Sequence, residues 1–254
     1  MELNYTDQGH GDVVVMLHGF CESVEIWSQT ARELSKFKRV ICIDLPGYGG
    51  SNQIEGKDIS VNWFSEVILN FLDELSIQNC SIVGHSLGGY VALGMLGIQG
   101  HRIDSLVLFH STSFADSEQK QQGRLKTYSF IERNGLATFM KSFVSPLFAE
   151  SNREKCEEDI KVLSKVGAQC NQEMVLATIL AMKNRAATTE YLEQFNKPIL
   201  WIVGEQDLAV PLEDSLKQVE LGTKTQALIL KDCGHMGMFE KPMTTTMRLV
   251  EFFT

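Results

Sequence analysis

The chain has 254 residues, enough for one large α/β domain, or a core with a sizeable insertion, around a substantial buried interior. An apolar fraction of 44% marks an ordinary globular protein, and a net charge of −9 speaks against a nucleic-acid or anionic-membrane surface. The opening Met1-Glu2-Leu3-Asn4 lacks the features of a secretory leader, no run approaches the roughly 18 apolar residues of a membrane span, and six cysteines without a C-x-x-C pair read as free thiols, so a cytoplasmic location is expected.

In chain order, Leu3–Thr6 reads as an antiparallel edge strand. Val13–Leu17 is a short apolar, β-branched run of the kind buried on both faces of a parallel sheet. It leads into His18-Gly19-Phe20-Cys21, with Trp27 downstream. Val40–Ile43 repeats the pattern and leads into Asp44-Leu45-Pro46-Gly47-Tyr48-Gly49-Gly50-Ser51. Ser60 suits the N-cap of a helix whose Trp63, Phe64, Val67, Ile68, Phe71, Leu72 and Leu75 share one face. Ser81–Val83 is a further strand, followed by Gly84-His85-Ser86-Leu87-Gly88 and an apolar stretch to Ile98. Ser105–Phe109 follows.

From Ser111 to Lys197 about 85 residues then intervene, far beyond a usual βα connection. They carry helical stripes, Leu136, Phe139, Met140, Phe143 and Val144, then Val175, Leu176, Ile179, Leu180 and Met182. Ile199–Val203 precedes Gly204-Glu205-Gln206-Asp207, and Ala227–Leu230 precedes Lys231-Asp232-Cys233-Gly234-His235-Met236-Gly237. This alternation predicts a doubly wound, mostly parallel α/β sheet from residues 1–110 and 198–254. Residues 111–197 are then expected as a helical cap over the carboxyl ends of the strands, where ligands bind in open sheets.

Gly84-His85-Ser86-Leu87-Gly88 is the stretch that carries chemistry. A serine on a sharp turn between strand and helix projects its hydroxyl from the sheet edge, and the flanking glycines remove Cβ atoms that would collide there. A serine hydroxyl needs a base to take its proton, and a neutral imidazole suits that task near pH 7. A carbonyl under attack also needs N–H donors for its developing charge.

Together with His18-Gly19-Phe20, Asp44–Ser51, Gly204–Asp207 and Gly234-His235 with Phe239-Glu240-Lys241-Pro242, the elbow resembles the α/β-hydrolase superfamily, in its cap-bearing esterase-like branch. The motifs run in family order over nearly the whole chain, with room for one early edge strand. The resemblance implies the α/β-hydrolase fold and the chain order Ser, acid, His. His235 is the one histidine of six beyond the cap, so this order selects it as the base. Asp207 is the expected acid, orienting His235, with Glu205 and Asp232 as weaker rivals. The Leu87 and Phe20 amides are the expected oxyanion donors, and His18 is expected to hold the loop. Cys21 and Cys233 read as small structural residues.

The chemistry so implied needs no metal and no organic cofactor, and its partner is a small-molecule substrate. A small carboxylic ester or thioester fits best. The alternative is a C–C bond hydrolase or lyase acting on an acidic substrate; a non-catalytic ligand-binding protein is a more distant one. Meta-cleavage hydrolases of the fold carry an aromatic residue after the catalytic histidine, where this chain has Met236. Arg185 has two readings, recognition of a substrate carboxylate or pairing with a nearby acid to lock the cap. Arg124 and Arg133 are expected on solvated cap faces.

Overall fold

A computed structural model describes residues 2–51 and 58–254. Its first half contains β1 (Tyr5–Gln8), β2 (Val13–Leu17), α1 (Ser28–Leu34), β3 (Arg39–Ile43), α2 (Val61–Glu74), β4 (Cys80–His85), α3 (Leu87–Gln99) and β5 (Ile103–Phe109). Five helices follow without a strand: α4 (Glu118–Asn134), α5 (Leu136–Phe143), α6 (Glu157–Ala168), α7 (Gln172–Asn184) and α8 (Thr189–Gln194). The chain then returns through β6 (Ile199–Gly204), α9 (Leu212–Val219), β7 (Thr225–Leu230), α10 (Gly237–Glu240) and α11 (Pro242–Phe253).

The strands form one sheet in the order β1-β3-β2-β4-β5-β6-β7, parallel except for β1, which runs antiparallel to β3. The chain winds outward from β2 to β3, then crosses back to β4. The loops after β2 and β4 therefore diverge at the topological switch point, where open sheets place their ligand crevice. Leu17 pairs with Gly84, His85 with Phe109, Phe109 with Ile202 and Gly204 with Leu230, which sets the carboxyl ends of five strands level.

The central strands are buried, as their continuous apolar runs require. Ser60 caps α2, its hydroxyl accepting the Trp63 amide at 3.1 Å. One local reading shifts. The edge strand starts at Tyr5, two residues after the expected Leu3, because buried Leu3 packs as a loop residue while β1 exposes most of its side chains. The long helix α4 has no apolar stripe, since it buries Ile131 and little else.

Candidate active site

Ser86 sits between β4 and α3 at φ 49° and ψ −112°, a left-handed conformation that costs a residue with a Cβ about 1–3 kcal/mol. The glycines around it permit the turn. A Cβ on Gly84 would lie 2.4 Å from the Gly88 carbonyl oxygen, and one on Gly88 would lie 2.4 Å from that of Leu17. The turn is pinned by the Ser86 amide donating to Phe109 O at 3.0 Å, and by the Ser86 carbonyl accepting from Ser111 Oγ at 2.8 Å. The serine lines a cavity of about 150 Å³ together with His235 and Phe20. The hydrogen bonds of the described residues include none between the Ser86 hydroxyl and the His235 ring.

His235 and Asp207, 28 residues apart in sequence, meet behind that cavity. His235 Nδ1 lies 2.8 Å from Asp207 Oδ2, so in the neutral ring Nδ1 donates and Nε2 is left unprotonated. Burial alone would lower the proton affinity of His235, but the charge and hydrogen bond of Asp207, then the charge of Glu22, outweigh it and raise it above the ordinary imidazole value. Burial likewise pushes the Asp207 carboxyl up. The attraction of His235 and the bonds from two imidazoles prevail and hold it far below the usual carboxylate range.

The second imidazole is His110, a residue with no sequence motif. It follows β5 at φ 48°, and its Nδ1 lies 3.1 Å from the same Asp207 Oδ2. Burial lowers its proton affinity to about 4 despite Asp207, so the ring is neutral, and its Nε2 has no partner. Asp207 Oδ1 accepts the Ala209 and Val210 amides at 2.8 and 2.9 Å. The carboxylate thus accepts four hydrogen bonds. His110, Asp207 and His235 also cluster closely enough to offer ligand atoms to a metal ion. With both Nδ1 atoms carrying hydrogen toward Oδ2, however, they are arranged as donors and acceptor, not as ligands.

Glu205 and Asp232, the weaker candidates for the acid, bond to each other's loop, the Asp232 amide donating to Glu205 Oε2 at 3.2 Å.

Leu87 opens α3, so its amide has no acceptor within the helix and stands at the positive end of the helix dipole. His18 orients the other expected donor. Its Nε2 accepts the Leu45 amide at 2.9 Å, so Nδ1 carries the hydrogen and donates to Gly19 O at 2.7 Å. In a planar trans peptide the N–H points opposite the C=O, so this bond turns the Phe20 N–H away from His18.

Sequence reasoning also missed Glu22 and His85. Glu22 Oε2 accepts the Gly19 amide at 2.6 Å and faces His85 Nδ1 at 2.9 Å, while His85 Nε2 lies 3.0 Å from the His235 carbonyl oxygen. The histidine loop is braced further by buried Glu240, whose Oε1 accepts the Gly234 amide at 2.9 Å and whose Oε2 accepts that of Ala149 at 3.0 Å. The His235 amide donates to Leu147 O at 2.6 Å. These contacts join the loop to the segment between α5 and α6.

Arg185 pairs with an acid, one of its two readings, whereas Arg124 departs from the solvated face expected of it. Arg185 lines a second cavity, of about 320 Å³, that shares Tyr90 as a wall with the Ser86 cavity. Its guanidinium is committed to Asp116 at 2.7 Å, to the carbonyls of Met182 and Phe114, and to the Tyr90 ring at 4.0 Å. Arg124, expected on a solvated face, lines the Ser86 cavity and pairs with the other oxygen of Asp116. The helical insertion adds an apolar wall of Phe139, Phe143, Leu147, Ile179 and Met182, and Glu22, Thr127, Ala209 and Val210 complete the lining.

The chain is similar to several known proteins. A dihydrolipoyllysine-residue acetyltransferase component of the acetoin cleaving system of Pseudomonas putida is 27% identical over 95% of this chain, which spans 63% of that protein's length. The monoacylglycerol lipase ABHD6 of Homo sapiens is 25% identical over 96% of the chain and 76% of its own length. Among solved structures, a thermophilic esterase from Thermogutta terrifontis, with malate bound, superposes with a TM-score of 0.93 at 26% identity, covering 99% of this chain and 92% of that one. The profile of the alpha/beta hydrolase fold matches residues 12–242, and the chain belongs to that family.

Proposed function

We propose that the protein is a serine hydrolase that cleaves a small carboxylic ester or thioester through an acyl-enzyme. The observation that carries this reading is that Ser86 and His235 line one cavity while Asp207 commits His235 Nδ1, leaving Nε2 free as the base. Ser86 Oγ attacks the carbonyl carbon as His235 Nε2 takes its proton. The Phe20 and Leu87 amides stabilise the oxyanion, and the imidazolium returns the proton to the departing alcohol or thiol. Water, deprotonated by His235, then releases the acid.

Asp207 orients the ring, and the helices of residues 111–197 act as the cap that walls the acyl site. The names of the lipase and esterase relatives support ester cleavage. All six cysteines are free thiols, which fits a cytoplasmic location.

One observation favours a second reading, C–C bond hydrolysis of an acidic substrate: a guanidinium, that of Arg124, does line the cavity. A 2-hydroxy-6-oxononadienedioate/2-hydroxy-6-oxononatrienedioate hydrolase of Pseudomonas putida is 24% identical over the whole chain.

The test is a panel of p-nitrophenyl esters and acyl-CoA thioesters assayed with wild type and S86A, alongside labelling by a fluorophosphonate. Wild type turns over short esters and is labelled at Ser86, and S86A loses about 10⁴-fold or more in kcat. Turnover retained in S86A, or a wild-type Ser86 that resists the probe, refutes the assignment.

A further inference from the structure

We propose that Glu22 and His85 are positioning residues, a second acid–imidazole pair that holds the oxyanion loop and the His235 loop in register with Ser86. The proposal rests on the hydrolytic reading of Ser86, Asp207 and His235, and assigns that site two further residues. Three loops that leave three different strands must be set against each other to a fraction of an ångström for such a site to work. Asp207 fixes the His235 side chain but not the backbone that carries it, and the loop after β2 needs its own tether to the strand that carries Ser86.

The bonds run in one line across the site. The Gly19 amide donates to Glu22 Oε2 at 2.6 Å, His85 Nδ1 meets the same oxygen at 2.9 Å, and His85 Nε2 meets the His235 carbonyl oxygen at 3.0 Å. Burial pushes the Glu22 carboxyl up, but the attraction of His85 and the hydrogen bonds prevail and hold it below the usual range, so it is ionised. A carboxylate and a carbonyl oxygen can only accept. Each nitrogen of the His85 ring therefore faces an acceptor, and both bonds form only when the ring carries hydrogen on Nδ1 and Nε2. His110 differs, since one of its nitrogens faces no partner.

The consequence at Phe20 follows from peptide geometry. Glu22 holds the peptide before Gly19 through its N–H, and His18 holds the peptide after Gly19 through its C=O. Both planes flanking Gly19 are then fixed, and with them the direction of the Phe20 N–H. At the far end, His85 takes the His235 carbonyl and Leu147 takes the His235 amide, so the residue is held on both sides of its Cα. His85 is adjacent to Ser86, so both tethers are anchored on the nucleophile's own strand. A larger residue at position 19 must displace the pair, because a Cβ there would lie 2.7 Å from His85 Nδ1 and 2.8 Å from Glu22 Oε2.

The pair also contributes charge. Asp207 after β6, Glu22 after β2 and Lys120 on α4 act on the charge of His235, the rings of His110 after β5 and His85 ending β4 lie against it, and Arg124 of α4 lines the same cavity. Glu22 raises the proton affinity of His235 and Lys120 opposes it. Removing the carboxylate while keeping its shape moves both geometry and titration, whereas a merely structural residue would move neither once the variant is folded.

The experiment compares wild type, E22Q and E22D on p-nitrophenyl acetate across pH, with His235 followed by ¹⁵N-histidine NMR. E22Q loses about 10²-fold in kcat with KM changed less than about threefold, and its acid limb moves to lower pH. E22D, which keeps the charge, leaves that limb near its wild-type position. A folded E22Q with wild-type kcat and an unmoved limb overturns the proposal. Should E22Q fail to fold, wild type decides alone: ¹⁵N shifts showing hydrogen on both His85 ring nitrogens near pH 7 uphold it, and a single ring N–H overturns it. If wild type hydrolyses no ester, the hydrolytic reading fails by itself, and the same spectra still judge the pair.

Discussion

Replacing Asp207 by Asn removes one charge and turns one of two accepting oxygens into a donor, and the structure dictates the result. Asp207 accepts four hydrogen bonds, two amides on Oδ1 and two imidazoles on Oδ2. With the Asn oxygen turned to the rings, its NH₂ group faces the Ala209 and Val210 amides, which cannot change roles. Two donors, the buried Val210 amide and the half-buried Ala209 amide, are then unpaired, at up to about 1–3 kcal/mol each. With the oxygen turned to the amides, the NH₂ group faces both Nδ1 atoms, and each ring can accept by moving its proton to Nε2. The one new orphan is His110 Nε2–H, which faces no acceptor.

The second arrangement therefore wins by roughly 1–3 kcal/mol. It places the proton of His235 on the nitrogen that should receive the one from Ser86. D207N should fold with a modest loss of Tm and lose about 10⁴-fold in kcat/KM, equivalent to about 5.4 kcal/mol of barrier. Steady-state kinetics on p-nitrophenyl acetate and a thermal melt measure both. A folded D207N within about tenfold of wild type would refute the orienting role of Asp207 and this account of its tautomer.

The raised proton affinity of His235 sets the pH profile: kcat/KM should fall as pH drops through a value above 6.5, because protonation removes the base, and a profile flat to pH 4 would contradict it. In stability, the His235 contribution is present below 6.5 and fades as pH rises through its raised value, whereas that of Asp207 is present above 3.8 and lost as pH falls toward its depressed one; urea melts across pH report both. R185A should cost about 3 kcal/mol, a Tm fall of roughly 6–12 °C, without selective change in KM for carboxylate-bearing esters, while R124A should raise that KM about tenfold; the reverse pattern would return substrate recognition to Arg185. Y90A should join the 150 and 320 Å³ cavities, and each methylene then buried adds about 0.8 kcal/mol, roughly fourfold in kcat/KM; an unchanged acyl-length profile would show that Tyr90 does not divide them.

The parts legible in the sequence are those whose cause is local. Buried parallel strands announce themselves as apolar runs, and Ser86 is readable because strand, turn and helix are contiguous around it. Asp207 and His235 follow from the chain order that the family resemblance implies, and each stands in the loop directly after a legible strand. The rest depends on contacts without sequence proximity. Glu22 meets His85 across 63 positions, His110 meets Asp207 across 97, and His85 meets the His235 carbonyl across 150. No periodicity encodes such meetings. Nothing in the sequence of α4, which has no apolar face, brings Arg124 inward, yet buried Asp116 draws its guanidinium there. The edge strand was set two residues early because the residue that marks it, Leu3, buries itself outside it.

The seam at which the insertion meets the histidine loop constrains any recombination of this scaffold. Leu147 receives the His235 amide, and Glu240 grips Ala149 and Gly234 together, so residues 145–152 and 233–240 behave as two halves of one joint. Grafting a relative's helices alone would bring in a mismatched half and detune the imidazole along with the pocket. Exchanging both stretches as a unit would let selectivity be transplanted while reactivity travels intact.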